Sequence, residues 1–149
     1  MYDSTEDTLK HINRVRQLLQ IAINELERRA LVHDQSKLES PEKEGFDRVG
    51  DSAHLKAFGT PEYQEGLDML GEALTHHYEV NTHHPQHYPN GINGMNLFDM
   101  IEMFFDWKAA SERYKDSTIQ QSVLVNTERF DLSDQLVNLM NNTVEYLEW

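Results

Sequence analysis

The sequence predicts an all-α protein of about five to seven helices around one core. Apolar residues recur at spacings of three and four along several stretches, which is the period of an amphipathic helix. Helix start signals precede these stretches, and no segment has the period-two alternation that is typical of a half-buried strand. With 149 residues and 38% hydrophobic content, the chain is long enough to bury its own core. We therefore predict a compact single-domain helical bundle over residues 1–149.

The first predicted helix begins near the N-terminus, where Ser4 or Thr5 can act as the cap. A short second helical stretch, "ALVHDQSKL", is expected to follow it with little interruption. The apolar residues of the first helix are Leu9, Ile12, Val15, Leu19, Ala22 and Leu26.

Two further helices are predicted at Ser40–Pro41 and Thr60–Pro61. Serine and threonine are preferred caps, and proline suits the first helical position because it lacks the backbone N–H that would be unsatisfied there. The helix after Pro61 is expected to continue without a break, since its apolar and inward-facing residues keep helical spacing: Leu67, Leu70, Leu74 and His77.

The second half of the chain is predicted to hold a loop and then three helices. Residues 81–96 contain two prolines, two glycines and four asparagines, which is typical of a loop. A long helix is expected over about residues 97–114. Ser117 and Gln120 form a capping-box pattern for the next helix, and a last helix is expected over about residues 133–149.

The composition excludes several classes of protein. The chain has no cysteine, so disulfides, thiolate metal sites and a cysteine nucleophile are ruled out. A formal net charge of -13 argues against binding to a nucleic-acid duplex, which requires a surface of lysine and arginine. No apolar run is long enough for a membrane span, and the acidic N-terminus does not resemble a signal peptide. We expect a cytoplasmic protein without a membrane partner.

Five of the eight histidines lie in one short stretch, "HHYEVNTHHPQHYPNG". Imidazole is a frequent metal ligand and titrates near neutral pH, so this stretch can be a metal site, a proton-handling site or a solvated loop. His77 is expected to face the core, and His84 is expected to be extended because it precedes a proline. The five residues are His76, His77, His83, His84 and His87.

Three carboxylates, Asp99, Glu102 and Asp106, share one stripe of the predicted long helix. Solvent would cover them on an exposed helix, but the surrounding "NLFDMIEMFFDWKAA" is apolar nearly all round. Part of the stripe should therefore face the interior and need partners there. His11 is also expected on an inward face, as a ligand or as a hydrogen-bonded core residue.

The order of these residues resembles the HD-domain superfamily. "ALVHDQSK" is similar to its apolar–His–Asp–x–x–Lys signature, "HINRV" to its first-histidine segment, and "FFDWKAASERY" to the segment with its last acid. The histidine stretch is loosely similar to the histidine–glycine–tyrosine–proline stretch of the bimetallic subgroup. More narrowly, most of residues 8–114 resembles a small, largely uncharacterised family found in phages and bacteria.

The resemblance implies a helical fold whose central cleft holds one or two divalent ions. Asp99 is an alternative to Asp106 as the last acid, and His76 and His84 are candidate ligands or supports. Manganese, magnesium, iron, nickel or cobalt would suit mixed imidazole and carboxylate ligands. The ligands implied by the resemblance are His11, His33, Asp34, His77, His83 and Asp106.

The function implied is a metal-dependent phosphohydrolase acting on a nucleotide or a related small phosphate ester. Lys37 would lie near the phosphate, with Arg14, Arg113 and His87 as further substrate-binding candidates, and Glu102 would carry the proton. One alternative is a diiron oxygenase of the same fold, for which His54 would be an added ligand. The other is a protein that binds a nucleotide or a metal with little or no turnover.

The resemblance also suggests how the domain is organised. The metal-site core is expected over about residues 8–114, and the C-terminal helices over residues 117–149. The expected partner is a small phosphate compound, and the aromatic tail "VEYLEW" offers a surface for a homodimer. The compartment would be the host cytoplasm if a phage encodes the protein.

Overall fold

The computed structural model describes residues 2–50 and 61–149, without the side chains of residues 62–64. Within these residues it has seven α-helices and no strand, which confirms the predicted all-α fold. The predicted residues His54 and Thr60 lie outside the described ranges. The helices are α1 (Thr5–Val32), α2 (Glu42–Val49), α3 (Pro61–Leu70), α4 (Glu72–Val80), α5 (Leu97–Ser111), α6 (Ile119–Phe130) and α7 (Asp134–Tyr146).

Three short 3-10 helices lie at Gln35–Leu38, Pro85–His87 and Gly91–Gly94. The last two occupy the segment predicted as a loop. None of the described helices has the length and apolar character that a membrane span requires. The chain divides into two compact units, Met1–His33 and Asp34–Trp149, and each is described by itself.

The first unit consists mainly of the 28-residue helix α1. The side chain of the cap residue Ser4 makes no capping hydrogen bond; instead, Asp3 Oδ1 accepts hydrogen bonds from the backbone N–H and the hydroxyl of Thr5. No residue of α1 is buried, although its apolar residues keep amphipathic spacing. His11 is exposed on α1 in this unit described by itself, and the expectation that it faces inward stays a prediction.

In the second unit, two helices begin one residue later than the start signals predicted. Pro41 is the cap of α2 and not its first helical residue. The capping box of α6 uses Thr118 and Gln121, whose side chains bond each other's backbone N–H groups, and not Ser117 and Gln120. Both pairs fit the pattern, but the observed register buries Ile119 in the core.

The single helix predicted after Pro61 is two helices, α3 and α4. Gly71 separates them with φ 49° and ψ -117°, a backbone conformation that only glycine adopts readily. The helical spacing of the apolar residues continues across the break, which is why the sequence pattern did not reveal it. The direction of α4, which carries His76 and His77, is therefore independent of the direction of α3.

Helices α2 and α4 approach closely at Gly45. A Cβ atom at this position would lie 2.3 Å from the Cβ atom of Ala73, a separation that real side chains do not adopt. Glu42 lies one turn before Gly45 on α2, and the approach brings it against His76 and His77 of α4. This packing positions one side of the candidate site.

The main hydrophobic core joins α5, α6 and α7. Trp149 packs against Phe104 and Phe105 of α5, so part of the tail predicted to join subunits packs within this unit, while Tyr146 is exposed. This core fixes α5, the helix that carries Glu102 and Asp106. Its buried side chains are Met103, Phe104, Ile119, Val123, Leu132, Met140 and Val144.

Candidate metal site

Asp34 begins the second unit in a left-handed backbone conformation, with φ 55° and ψ 16°. Aspartate is one of the few residues other than glycine that adopts this conformation at modest cost. Its Oδ2 atom lies 2.6 Å from Lys37 Nζ. Its Oδ1 atom faces the histidines, 3.5 Å from His77 Nε2 and 3.4 Å from His83 Nε2.

His77 lies in the last turn of α4 and is 2% exposed. Its two ring nitrogens face different groups. Nδ1 lies 2.8 Å from Glu42 Oε2, and Nε2 lies 2.7 Å from His84 Nε2. The prediction that His77 faces the interior is confirmed.

His83 and His84 follow α4 in the loop. His83 is 2% exposed, and its Nδ1 atom lies 3.3 Å from Glu102 Oε1, on the opposite side of the ring from Asp34. The backbone of His84 is extended, with φ -98° and ψ 128°, as the following proline predicts. The loop therefore brings two imidazole rings to the end of α4.

Four of these residues could together hold a metal ion: Asp34, His77, His83 and His84. Each offers one ligand atom, and the four atoms lie within 4.8 Å of one another. Imidazole nitrogen and carboxylate oxygen together suit divalent transition metals such as manganese, iron, cobalt, nickel or zinc. We refer to these four residues as the metal cluster.

The surroundings of the metal cluster favour neutral imidazole. Burial, with a further contribution from His83 and His77, lowers the pKa of His84 from 6.5 to about 3. Burial and the positive charge of Lys37 also lower the pKa of His77, against the opposite effect of the nearby carboxylates. Neutral imidazole is the form that binds a metal, so these side chains need not lose a proton first at neutral pH.

The two acids that the sequence left open, Asp99 and Asp106, have different surroundings. Asp106 offers a carboxylate oxygen within 4.8 Å of a ring nitrogen of His83. Asp99 is buried at the start of α5, where its Oδ2 atom accepts hydrogen bonds from the Asn96 backbone N–H and the Tyr88 hydroxyl. Asp99 thus completes the capping box of α5, and Asp106 is the acid beside the histidines.

Sequence reasoning missed Glu42. This side chain is fully buried and lies within hydrogen-bonding distance of His76 Nδ1, His77 Nδ1 and Ser36 Oγ. Burial raises its pKa, but the hydrogen bonds from His76, Ser36 and His77 outweigh burial and lower the pKa overall. Acidic residues are common in the first turn of a helix, so no sequence signal distinguished this one.

The other predicted site residues lie outside the metal cluster. The Nδ1 atom of His87 lies 3.2 Å from a backbone carbonyl oxygen of α4, and Arg113 is exposed after α5. His11 and Arg14 are exposed on α1, and His33 caps the end of that helix. Roles for these residues in metal or substrate binding stay predictions.

A family model described as a family of unknown function (DUF5662) matches residues 1–146. The chain belongs to this family. No curated protein matches it. No solved structure matches it either.

Proposed function

We propose that the protein is a metal-dependent phosphohydrolase that acts on a nucleotide or a related small phosphate ester. The observation that supports this proposal best is the convergence of four ligand atoms from separate chain segments within 4.8 Å. A divalent ion in such a set activates water near neutral pH and neutralises charge on a phosphoryl oxygen. Together with the resemblance to HD-domain proteins, this chemistry favours phosphate-ester hydrolysis.

Lys37 supports the choice of a phosphate substrate. Its ammonium group lies beside the metal cluster, 2.6 Å from Asp34 Oδ2, and its side chain is 35% exposed. An anionic substrate can therefore reach Lys37 from solvent while Asp34 faces the histidines. In a protein with a net charge of -13, a local cation of this kind offsets repulsion of a phosphate.

Glu102 and Asp106 contribute negative charge beside His83 of the metal cluster. Glu102 lies on the Nδ1 side of His83, so it can hold that ring with Nε2 directed at Asp34. Asp106 is close enough to His83 to serve as a further oxygen ligand. The proton-carrying role expected of Glu102 stays part of the proposal.

The proposal is tested with protein purified without a histidine tag, supplied with manganese or cobalt and a panel of nucleotides under anaerobic conditions. We expect release of phosphate or nucleoside by the parent chain. His83→Ala should lower metal affinity at least about tenfold and abolish turnover, because a buried ligand is lost. His87→Ala is the matched control from the same loop and should keep its metal.

Each alternative function predicts a different result in this experiment. A diiron oxygenase would require oxygen and ferrous iron, so anaerobic turnover eliminates it. A binding protein would retain a nucleotide or metal without forming product. If His83→Ala and His87→Ala bind metal like the parent chain, the metal cluster is not a metal site and the proposed function is wrong.

A further inference from the structure

Glu42 is a buried carboxylate in direct contact with a residue of the metal cluster. Its Oε2 atom lies 2.8 Å from His77 Nδ1 and 2.9 Å from Ser36 Oγ, and its Oε1 atom lies 2.8 Å from His76 Nδ1. Burying a carboxylate is costly unless hydrogen-bond donors surround it. Both oxygens have such neighbours, so the carboxylate is held in one orientation.

The hydrogen bonds of Asn81 are compatible with a hydrogen on Nδ1 of His77. The Asn81 amide nitrogen lies 2.9 Å from both Ser36 Oγ and the His77 carbonyl oxygen, so both amide hydrogens have acceptors. The opposite orientation of the amide would set its oxygen against that carbonyl oxygen. The amide therefore does not need His77 Nδ1 as an acceptor, although the two nitrogens are 3.0 Å apart.

The hydrogen on His77 Nδ1 then donates to Glu42. The Ser36 hydroxyl donates to the same Oε2 atom, and His76 Nδ1 lies at Oε1, so the surroundings of Glu42 are those of a carboxylate that accepts hydrogen bonds at both oxygens. In a neutral imidazole, a hydrogen on Nδ1 leaves the lone pair on Nε2. In His77 that atom is the one that faces Asp34 and His84.

We propose that Glu42 is a positioning residue for the metal site: it holds His77 in the tautomer and ring orientation that direct Nε2 at the metal cluster. This inference rests on the metal site of the proposed function. A carboxylate behind a ligating histidine fixes the ring and increases its basicity as a ligand. Ser36 and His76 in turn fix the carboxylate.

The chain offers a matched set of variants for the test. Glu42→Ala removes the acceptor, Glu42→Gln keeps an oxygen acceptor but removes the charge, and Glu44→Gln makes the same change at an exposed position of α2. Binding of cobalt to the full-length parent and variants is titrated by the visible absorption of the ion. We expect a loss of affinity of about 10- to 100-fold for Glu42→Ala, a smaller loss for Glu42→Gln and none for Glu44→Gln.

Nitrogen-15 NMR of the His77 ring in the metal-free protein supplies a readout that does not depend on metal binding. The parent and Glu44→Gln should show hydrogen on Nδ1, and Glu42→Ala should show a mixture of the two tautomers or hydrogen on Nε2. Circular dichroism establishes that each variant is folded. If Glu42→Ala does not fold, Glu42→Gln carries the test, with reduced cobalt affinity as the expected result.

The outcomes separate the inference from the proposed function. Hydrogen on Nε2 of His77 in the parent chain would overturn the role of Glu42. Parental cobalt affinity in both Glu42 variants would overturn it as well. Failure of the parent chain to bind cobalt would instead overturn the metal site, while the NMR spectra would still decide whether Glu42 sets the tautomer.

Discussion

Asp34 combines an uncommon backbone conformation with the chemistry of a ligand. Its positive φ of 55° costs about 1–2 kcal/mol in most residues, and less in aspartate and asparagine, whose short polar side chains bond locally. The same conformation directs Oδ1 toward His77 and His83. The contribution of Asp34 to backbone stability and its contribution to metal binding can therefore be tested separately with different substitutions.

We predict that Asp34→Asn and Asp34→Ala differ in stability but both bind metal weakly. Asparagine tolerates the left-handed conformation, whereas alanine should lower the free energy of unfolding by about 1 kcal/mol. Both substitutions remove the negatively charged ligand oxygen. Urea unfolding and cobalt titration measure the two effects, and parental cobalt affinity in Asp34→Asn would contradict the assignment of Asp34 as a ligand.

At this scale, residue type and spacing predicted much of the metal cluster. His77 was expected to face the core because it continues the apolar spacing of α4, and Asp34 entered through its resemblance to a known motif. Glu42 could not be predicted, because its contact with His77 joins residues 35 positions apart. Helical periodicity reports which face is buried, but not which residue of another helix it meets.

Helix packing at Gly45 links the fold to the candidate site. The Cβ atoms of residues 45 and 73 cannot both be accommodated at the observed separation of α2 and α4. Any substitution that separates these helices also moves Glu42 from His77. The geometry of the metal cluster therefore depends on a contact made entirely by small residues.

We predict that Gly45→Ala lowers the free energy of unfolding by about 1–3 kcal/mol, because the added methyl group overpacks the contact with Ala73. Cobalt affinity should fall as well. Gly45→Ala combined with Ala73→Gly should recover much of both losses, since the second change removes the opposing methyl group. Thermal unfolding and cobalt titration of the four proteins form a double-mutant cycle; purely additive effects would contradict this explanation.

The main predicted helices are present, but their ends differ and one predicted helix is two helices. The starts predicted at Ser40–Pro41 and at Ser117 were each displaced by one residue. At Ser117 the reason is that Thr118 and Gln121 satisfy the same capping-box pattern. The break at Gly71 was missed because a single glycine within apolar spacing is compatible with a continuous helix. The positive φ of Gly71 leaves no trace in the spacing of the apolar residues on either side of it.

On the scale of the whole molecule, the neutral histidines of the metal cluster couple stability to pH. The pKa of His84 is about 3 in the folded protein, against 6.5 as its ordinary value. As the pH falls from 6.5 toward 3, the unfolded chain binds a proton at this residue that the folded chain does not bind. The free energy of unfolding therefore falls with pH across this window.

We predict that the metal-free protein, kept in EDTA, is less stable at about pH 5 than at about pH 7, and that His84→Gln reduces this difference. Glutamine cannot bind the proton in either state, so it removes the contribution of this residue. Urea unfolding at the two pH values measures the effect, with His87→Gln as the control. An unchanged pH dependence in His84→Gln would contradict the depressed pKa.

The all-α class was predictable from sequence because most of the helices show the same spacing of apolar residues. The division into Met1–His33 and Asp34–Trp149 was not, because it reflects contacts between elements. The net charge of -13 argued against a broad basic surface. It gave no indication that one lysine, Lys37, lies beside a buried group of histidines.

The loop between α4 and α5 buries an imidazole ring, that of His83, beside Pro85. Its backbone hydrogen bonds are local turns, such as those from His84 N–H to the Asn81 carbonyl and from His87 N–H to the His84 carbonyl. Turns that are bonded locally can open at a lower free energy than global unfolding, whereas Ile92 and Met95 near the end of the loop pack against the main core. If the metal cluster binds an ion, the free energy of this local opening rises with the concentration of the ion. Hydrogen exchange at the backbone amides of the loop then becomes slower as more of the ion is available.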